Sequence, residues 1–130
     1  MTEKELAVKL KVDKAKALMD EVEILLENKF YNNAISRLYY SCYHATKALL
    51  PTIDMTSKTH SGLISSLQKY FVAQNKFDIS HAAFFASLLQ ARIEEDYNDF
   101  IIERLEEIEP YIKPAKEYLS YVISLIDKKD

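Results

Sequence analysis

Arg37 and His44 stand seven residues apart in SRLYYSCYHATKALL, residues 36–50. A guanidinium fixes or neutralises a phosphate, and an imidazole titrating near neutral pH serves as general base or acid. The stretch reads as helix. A helix turns by roughly 100° per residue, so a step of seven returns a side chain to nearly the same direction, about 10 Å further along the axis. That is too far for one hydrogen bond between the two groups. It is a reasonable span for gripping a phosphate at one end and moving a proton at the other, and a second chain's helix would shorten the distances. Ala34, Ile35, Leu38, Cys42, Ala45 and Leu49 cluster on one side of this helix, the core side. Asn33, Arg37, Tyr40 and His44 project from approximately the opposite side, with Lys47 at its edge. Spacing alone leaves a plainer reading open, because a polar face opposite a core face is what any surface helix presents. Arg37 and His44 would then be solvated or paired with carboxylates, and Tyr39, Tyr40 and Tyr43 would pack at the rim.

The elements that must hold these residues are helices. The first is expected from about Glu3 to Asn28, with Leu6, Leu10, Ala17, Val22, Leu25 and Leu26 at roughly helical spacing. Thr2 followed by Glu5 forms a capping-box signature. After NKFYNN the second helix runs from about Tyr31 to Leu50, where Pro51 stops it. The third begins near Lys58 or Thr59 and reaches about Gln74, with Gly62 in its first turns. Asp78 or Ser80 caps the fourth, which carries Ala82, Phe85, Leu88, Leu89 and Ile93 and frays around Tyr97. YNDFIIER has no clear period. The last helix is expected from near Leu105 to Leu125 or Ile126, with Pro110 and Pro114 near its beginning or kinking it. The sum is an all-α, up-and-down bundle of about five helices, four of them long, in a single domain spanning 1–130.

Composition narrows the functions. One glycine and three prolines argue against an all-β fold rich in tight turns, and a lone glycine excludes a Gly-rich phosphate loop. The net charge of −3 leaves room only for a local basic patch on an acidic body as an RNA or nucleotide site. Cys42 is the only cysteine, so neither an intrachain disulfide nor a Cys-based metal site can form, which suits a reducing, cytoplasmic setting. No signal peptide or membrane-spanning run is visible, so no membrane association is expected.

AISRLYYSCYHATKALL resembles the central helix of the HEPN family, small helical bundles marked by an arginine and a histidine a few residues apart. Here six residues, Leu38 to Tyr43, separate them, the upper limit of that spacing. KTHSGL, Lys58 to Leu63, resembles the start of the family's third helix, and ARIEEDY, Ala91 to Tyr97, its arginine followed shortly by Asp-Tyr. The order and spacing of all three agree. The resemblance implies a homodimer in which the Arg–His faces of two chains meet at a cleft. It also implies metal-independent RNA cleavage, in which the 2′-hydroxyl attacks the adjacent phosphate and leaves a cyclic phosphate end. Arg37 and His44 would be catalytic, His44 handling the proton and Arg37 steadying the phosphate. The cleft would draw on Asn33, Tyr40, Lys47, Lys58, His60, Arg92, Asp96 and Tyr97, with no metal and no cofactor. Many members are toxins paired with a small nucleotidyltransferase antitoxin, and others are non-catalytic modules that bind nucleotides or proteins. Toxin members often carry a tyrosine two residues after the histidine, where the partner enzyme can modify it; here that position is Thr46.

Other residues have plainer roles. Thr59, His60 and Ser61 can organise the start of the third helix. His81 lies near Asp78 and suits a cap or the surface, and one Asp–His pair makes a poor metal site. Arg92 and Asp96 can form an ion pair four residues apart. Cys42 reads as a small buried residue, and KVDKAK, Lys11 to Lys16, as solvated charge. A tetratricopeptide-like adaptor would need a repeat near 34 residues, and none is present.

Overall fold

The capping box expected at Thr2 starts the first helix. The Glu5 N–H donates to Thr2 Oγ1 at 3.0 Å, and the Thr2 N–H donates back to Glu5 Oε1 at 3.3 Å. The structure, a computed structural model, describes residues 1–97, 102 and 104–128; the side chains of residues 94–97 lie outside that description. Five α-helices follow in order: α1 (Glu3–Glu27), α2 (Tyr31–Leu49), α3 (His60–Leu67), α4 (Ile79–Tyr97) and α5 (Leu105–Asp127). A 3-10 turn over Leu50–Ile53 takes in Pro51, and a π turn over Gln68–Val72 extends α3. The bundle is all-α, with no strand among the described residues. Most of YNDFIIER lies outside them.

Three helical segments end in the same way. Lys29, Asp54 and Asn75 have φ of 60°, 59° and 57°, the left-handed region. After α1, the Phe30 N–H donates to the Leu25 carbonyl at 2.8 Å and the Lys29 N–H to Leu26 at 3.1 Å. The pattern repeats as Met55 to Leu50 and Asp54 to Pro51, and again as Lys76 to Phe71 and Asn75 to Val72. These are Schellman closures, which glycine usually makes because it has no Cβ to clash. The sole glycine sits elsewhere. Gly62 donates its N–H to Thr59 Oγ1 at 2.9 Å, capping α3 from the residue immediately before His60. A Cβ there would lie 2.6 Å from that hydroxyl. At α4 the Asp78 carboxylate accepts the His81 N–H at 3.0 Å, and the Asp78 N–H donates to the Tyr121 hydroxyl at 2.8 Å, tying α4 to α5.

α2 is the central helix, packed against α1, α3, α4 and α5. Ala34, Ile35, Leu38, Cys42, Ala45 and Leu49 are buried as expected. Full burial of a side chain the size of Leu38 stabilises the fold by about 1.5–3 kcal/mol. Ser41, Tyr39, Tyr43, Thr46 and Ala48 are buried as well, so α2 is enclosed round most of its circumference. α1 departs from its simple apolar pattern. Its buried residues are Val12, Ala15, Met19 and Val22, while Leu6, Leu10 and Ile24 are exposed. Pro110 and Pro114 both lie inside α5 rather than at its start. Each removes a helical N–H, from the carbonyls of Glu106 and Pro110 respectively. Both of those residues are exposed, so water can satisfy the carbonyls.

Candidate functional site

The open strip of α2 is the polar face expected from its spacing. Asn33 is exposed, while Arg37, Tyr40, His44 and Lys47 are half-buried. Arg37 does not stand alone on it. Its Nε lies 3.1 Å from Glu21 Oε2 on α1, an ion pair rather than an aligned hydrogen bond. The two side chains are part-exposed, at 39% and 51%, although the Arg37 Nε itself is buried; solvent screening holds the pair to about 1 kcal/mol or less, and its carboxylate can be exchanged for another anion.

His44 packs edge-on against Tyr43, ring centroids 5.2 Å apart, and tilted against Tyr40 at 6.3 Å. Its pKa is pushed down to about 4. Partial burial is the largest cause, followed by the positive charges of Lys14, Lys47 and Lys11. The imidazole is therefore neutral at physiological pH and sits among three ammonium groups. Two of these, Lys11 and Lys14, come from KVDKAK on α1, which sequence reading takes for solvated charge. The available signal was their step of three, which puts both on one helix face. Lys14 is exposed and Lys11 half-buried, so both keep contact with solvent while their charge acts on His44.

Tyr40 connects the strip to α3 and α4. The Arg92 guanidinium lies 4.9 Å from its ring centre and 5.7 Å from that of Tyr39, both cation–π contacts. His60 meets Tyr40 edge-on at 6.1 Å and stacks on Tyr43 at 4.6 Å. Lys47 reaches over the Tyr43 ring at 5.3 Å. His60 Nδ1 and the Tyr39 hydroxyl are 2.5 Å apart. Rim packing is thus corrected for two of the three tyrosines. Tyr39 is fully buried and Tyr43 nearly so, and only Tyr40 is partly open. Burial, reinforced by Tyr43 and Tyr40, raises the Tyr39 pKa well above the ordinary phenol value, so its hydroxyl stays protonated.

Of the expected site residues, Tyr40, His44, Lys47, His60 and Arg92 converge around one aromatic cluster. Arg37 lies two turns from His44 along the same strip and is held by α1. Asn33 and Lys58 are exposed, the latter in the loop before α3. The side chains of Asp96 and Tyr97 lie outside the described residues, and with them the Arg92–Asp96 pair. Thr46 points inward. It is buried, donates to the Cys42 carbonyl at 2.7 Å and shares a 2.7 Å hydrogen bond with the Tyr118 hydroxyl. The place two residues after His44 is therefore core, closed to a modifying enzyme. The Cys42 thiol is buried and donates to the Ala115 carbonyl; burial pushes its pKa up, which makes it inert. The His81 ring stacks on Tyr121 at 4.4 Å, away from this cluster. Among the described residues no group of three or more His, Cys, Asp or Glu is placed to hold a metal ion, and no helix is long and apolar enough to cross a membrane.

Comparison with known proteins agrees with the bundle and its marked helix. The HEPN domain model matches residues 8–126. A UPF0332 protein of Thermotoga maritima is 25% identical over 127 residues, covering 98% of this chain and 96% of that protein. Two Methanocaldococcus jannaschii proteins named as candidate toxins are each 31% identical. One matches over 117 residues, 87% of this chain and 80% of its own length, and the other over 86 residues, 66% and 64%. With the family model covering nearly the whole bundle, and Arg37 and His44 on the one open strip of its central helix, this chain belongs to the HEPN domain family.

Proposed function

We propose that this protein is a metal-independent endoribonuclease of the HEPN type, working as a homodimer and forming the toxin half of a module with a small nucleotidyltransferase. The observation that carries the reading is a half-buried His44, packed on Tyr40 and Tyr43, on the same open strip as Arg37 and Lys47; the charges of Lys14, Lys47 and Lys11 act on it. The lysines supply the local basic patch that an acidic chain needs to attract a polyanion. Partial burial, with the lysine charges after it, favours the unprotonated imidazole, the form a base must take before it acts. A bound phosphodiester brings negative charge beside the ring and offsets the lysines, which moves the His44 pKa back toward neutrality. His44 then takes the proton from a 2′-hydroxyl. The 2′ oxygen attacks phosphorus, the bond from phosphorus to the 5′ oxygen breaks, and the departing 5′ oxygen takes a proton from water while the imidazolium gives its own back to solvent, leaving a 2′,3′-cyclic phosphate and a 5′-hydroxyl end. Arg37 exchanges Glu21 for the phosphate and stabilises the charge that builds on it. A second subunit would bring its own strip across the cleft and close the distance of about 10 Å between Arg37 and His44 along one helix. Ile24, exposed on α1 one turn from Glu21, offers an apolar side chain for such a contact. With Thr46 buried, any control by a nucleotidyltransferase acts elsewhere on this chain.

The test is cleavage of single-stranded RNA in the presence of a chelator. The wild type is expected to leave cyclic phosphate ends and to spare an oligonucleotide with 2′-deoxy sugars. Arg37→Ala and His44→Ala are each expected to lose about 100-fold or more. Equal rates in all three proteins would remove the reading. The Arg37–Glu21 ion pair favours a second one, a non-catalytic module that binds a nucleotide or a protein. That module would bind RNA or nucleotide without cutting it, and Glu21→Gln would tighten the binding.

A further inference from the structure

His60 is tied into the aromatic cluster by two contacts that fix both the plane and the edge of its ring. Tyr43 stacks on its face at 4.6 Å, and the Tyr39 hydroxyl meets Nδ1 at 2.5 Å. The Thr59 cap, which Gly62 completes, holds the backbone of the first helical residue in place. This degree of constraint exceeds what the start of a short helix requires.

The direction of the hydrogen bond follows from burial. Tyr39 is fully enclosed, and among the described residues its hydroxyl meets one acceptor, His60 Nδ1. If Nδ1 carried the proton and donated, the phenol O–H would be buried with nowhere to go, at a cost of about 1–3 kcal/mol. The phenol therefore donates. Nδ1 accepts, and the imidazole proton belongs to Nε2. Partial burial disfavours a second proton on this ring, and the Arg92 guanidinium and Lys47 ammonium act in the same direction. Nε2 sits on the other side of the ring from the Nδ1 that meets the buried phenol, and the residue as a whole is half-buried rather than enclosed.

We propose that Tyr39 locks His60 as its Nε2–H tautomer, so that this imidazole is a fixed neutral hydrogen-bond donor to a phosphodiester oxygen bound beside Tyr40, Arg92 and Lys47. The inference rests on the phosphodiester substrate put forward above and deepens it. His60 is a positioning donor and takes no proton in the reaction. It contributes direction where Lys47 contributes charge, because one N–H on a stacked ring points one way and an ammonium rotates freely. His44 and His60 both lie against Tyr43, His44 edge-on and His60 stacked, so the two imidazoles belong to one cluster.

The experiment is long-range proton–nitrogen correlation of the 15N-histidine-labelled protein near neutral pH. It is run free and titrated with a 2′-deoxy dinucleotide, which carries the phosphodiester and cannot be cleaved. The expected result is a pure Nε2–H pattern for His60 in the free protein, a shift of its Nε2 signal on titration, and a mixture of tautomers in Tyr39→Phe. His60→Gln, which keeps an N–H near the Nε2 position, should hold the dinucleotide within about threefold of wild type, and His60→Ala should weaken it about tenfold, near the 1.4 kcal/mol of one hydrogen bond. A mixed or Nδ1–H tautomer in the wild type overturns the lock. A locked His60 that the dinucleotide leaves unmoved, while His44 shifts, overturns the donor role and spares the proposed ribonuclease. A probe that moves neither ring overturns both.

Discussion

His44 links acidity to folding. In the unfolded chain its imidazole titrates near 6.5, and in the fold near 4. Between those values the unfolded chain binds a proton that the folded site refuses, so stability rises with pH across that window. The stabilising share of the neutral ring is fully present above about pH 6.5 and is lost as pH falls through 4. His60, also lowered, adds in the same sense. Urea unfolding at pH 7 and at pH 4.5 is expected to record a smaller loss of stability for His44→Gln than for wild type; an equal loss would mean the ring is not held neutral. At this scale the sequence made the Arg37–His44 strip legible because a step of seven on a helix needs no tertiary knowledge. It left Tyr39 and Tyr43 at the rim, because their burial depends on which other helices cover them.

At the scale of elements, the apolar periods placed all five helices, and the caps at Thr2, Thr59 and Asp78 set three of their starts. The ends were less legible. A left-handed residue is usually announced by glycine, and here Lys29, Asp54 and Asn75 take that place. The left-handed conformation costs an L-residue roughly 1–2 kcal/mol relative to glycine, offset in part by the greater freedom glycine gives the unfolded chain. Lys29→Gly is therefore expected to stabilise the protein by about 0.5–1 kcal/mol, read as a higher urea midpoint with an unchanged slope. Asp54 and Asn75 would gain less, because short polar side chains tolerate that region better. The π turn after α3 left no mark in the apolar pattern, since Leu67 and Phe71 keep a step of four through it. The prolines of α5 read as a problem because sequence alone does not say that Glu106 and Pro110 face water.

Across the whole molecule, the enclosure of α2 joins the candidate site to the core. The Thr46–Tyr118 hydrogen bond ties α2 to α5 between two buried side chains. Thr46→Val leaves the Tyr118 hydroxyl buried without that partner and is expected to cost about 1–3 kcal/mol. Tyr118→Phe added to it should recover much of the loss, because a matched apolar pair has no stranded donor. Urea unfolding of the two single variants and the double checks this, and strict additivity would show that the two groups do not act together. Phe85 lies between Tyr39 and Tyr118, parallel to the first at an interplanar angle of 1° and near-parallel to the second at 23°. This column of three rings runs through α2, α4 and α5 in a chain with no tryptophan. Fixed, coupled phenol chromophores of this kind give the protein a near-ultraviolet dichroic signal drawn largely from its own interior. Loss of that band while the far-ultraviolet helical signal persists would mark a loosening of side-chain packing around the Arg37–His44 strip before the helices themselves melt.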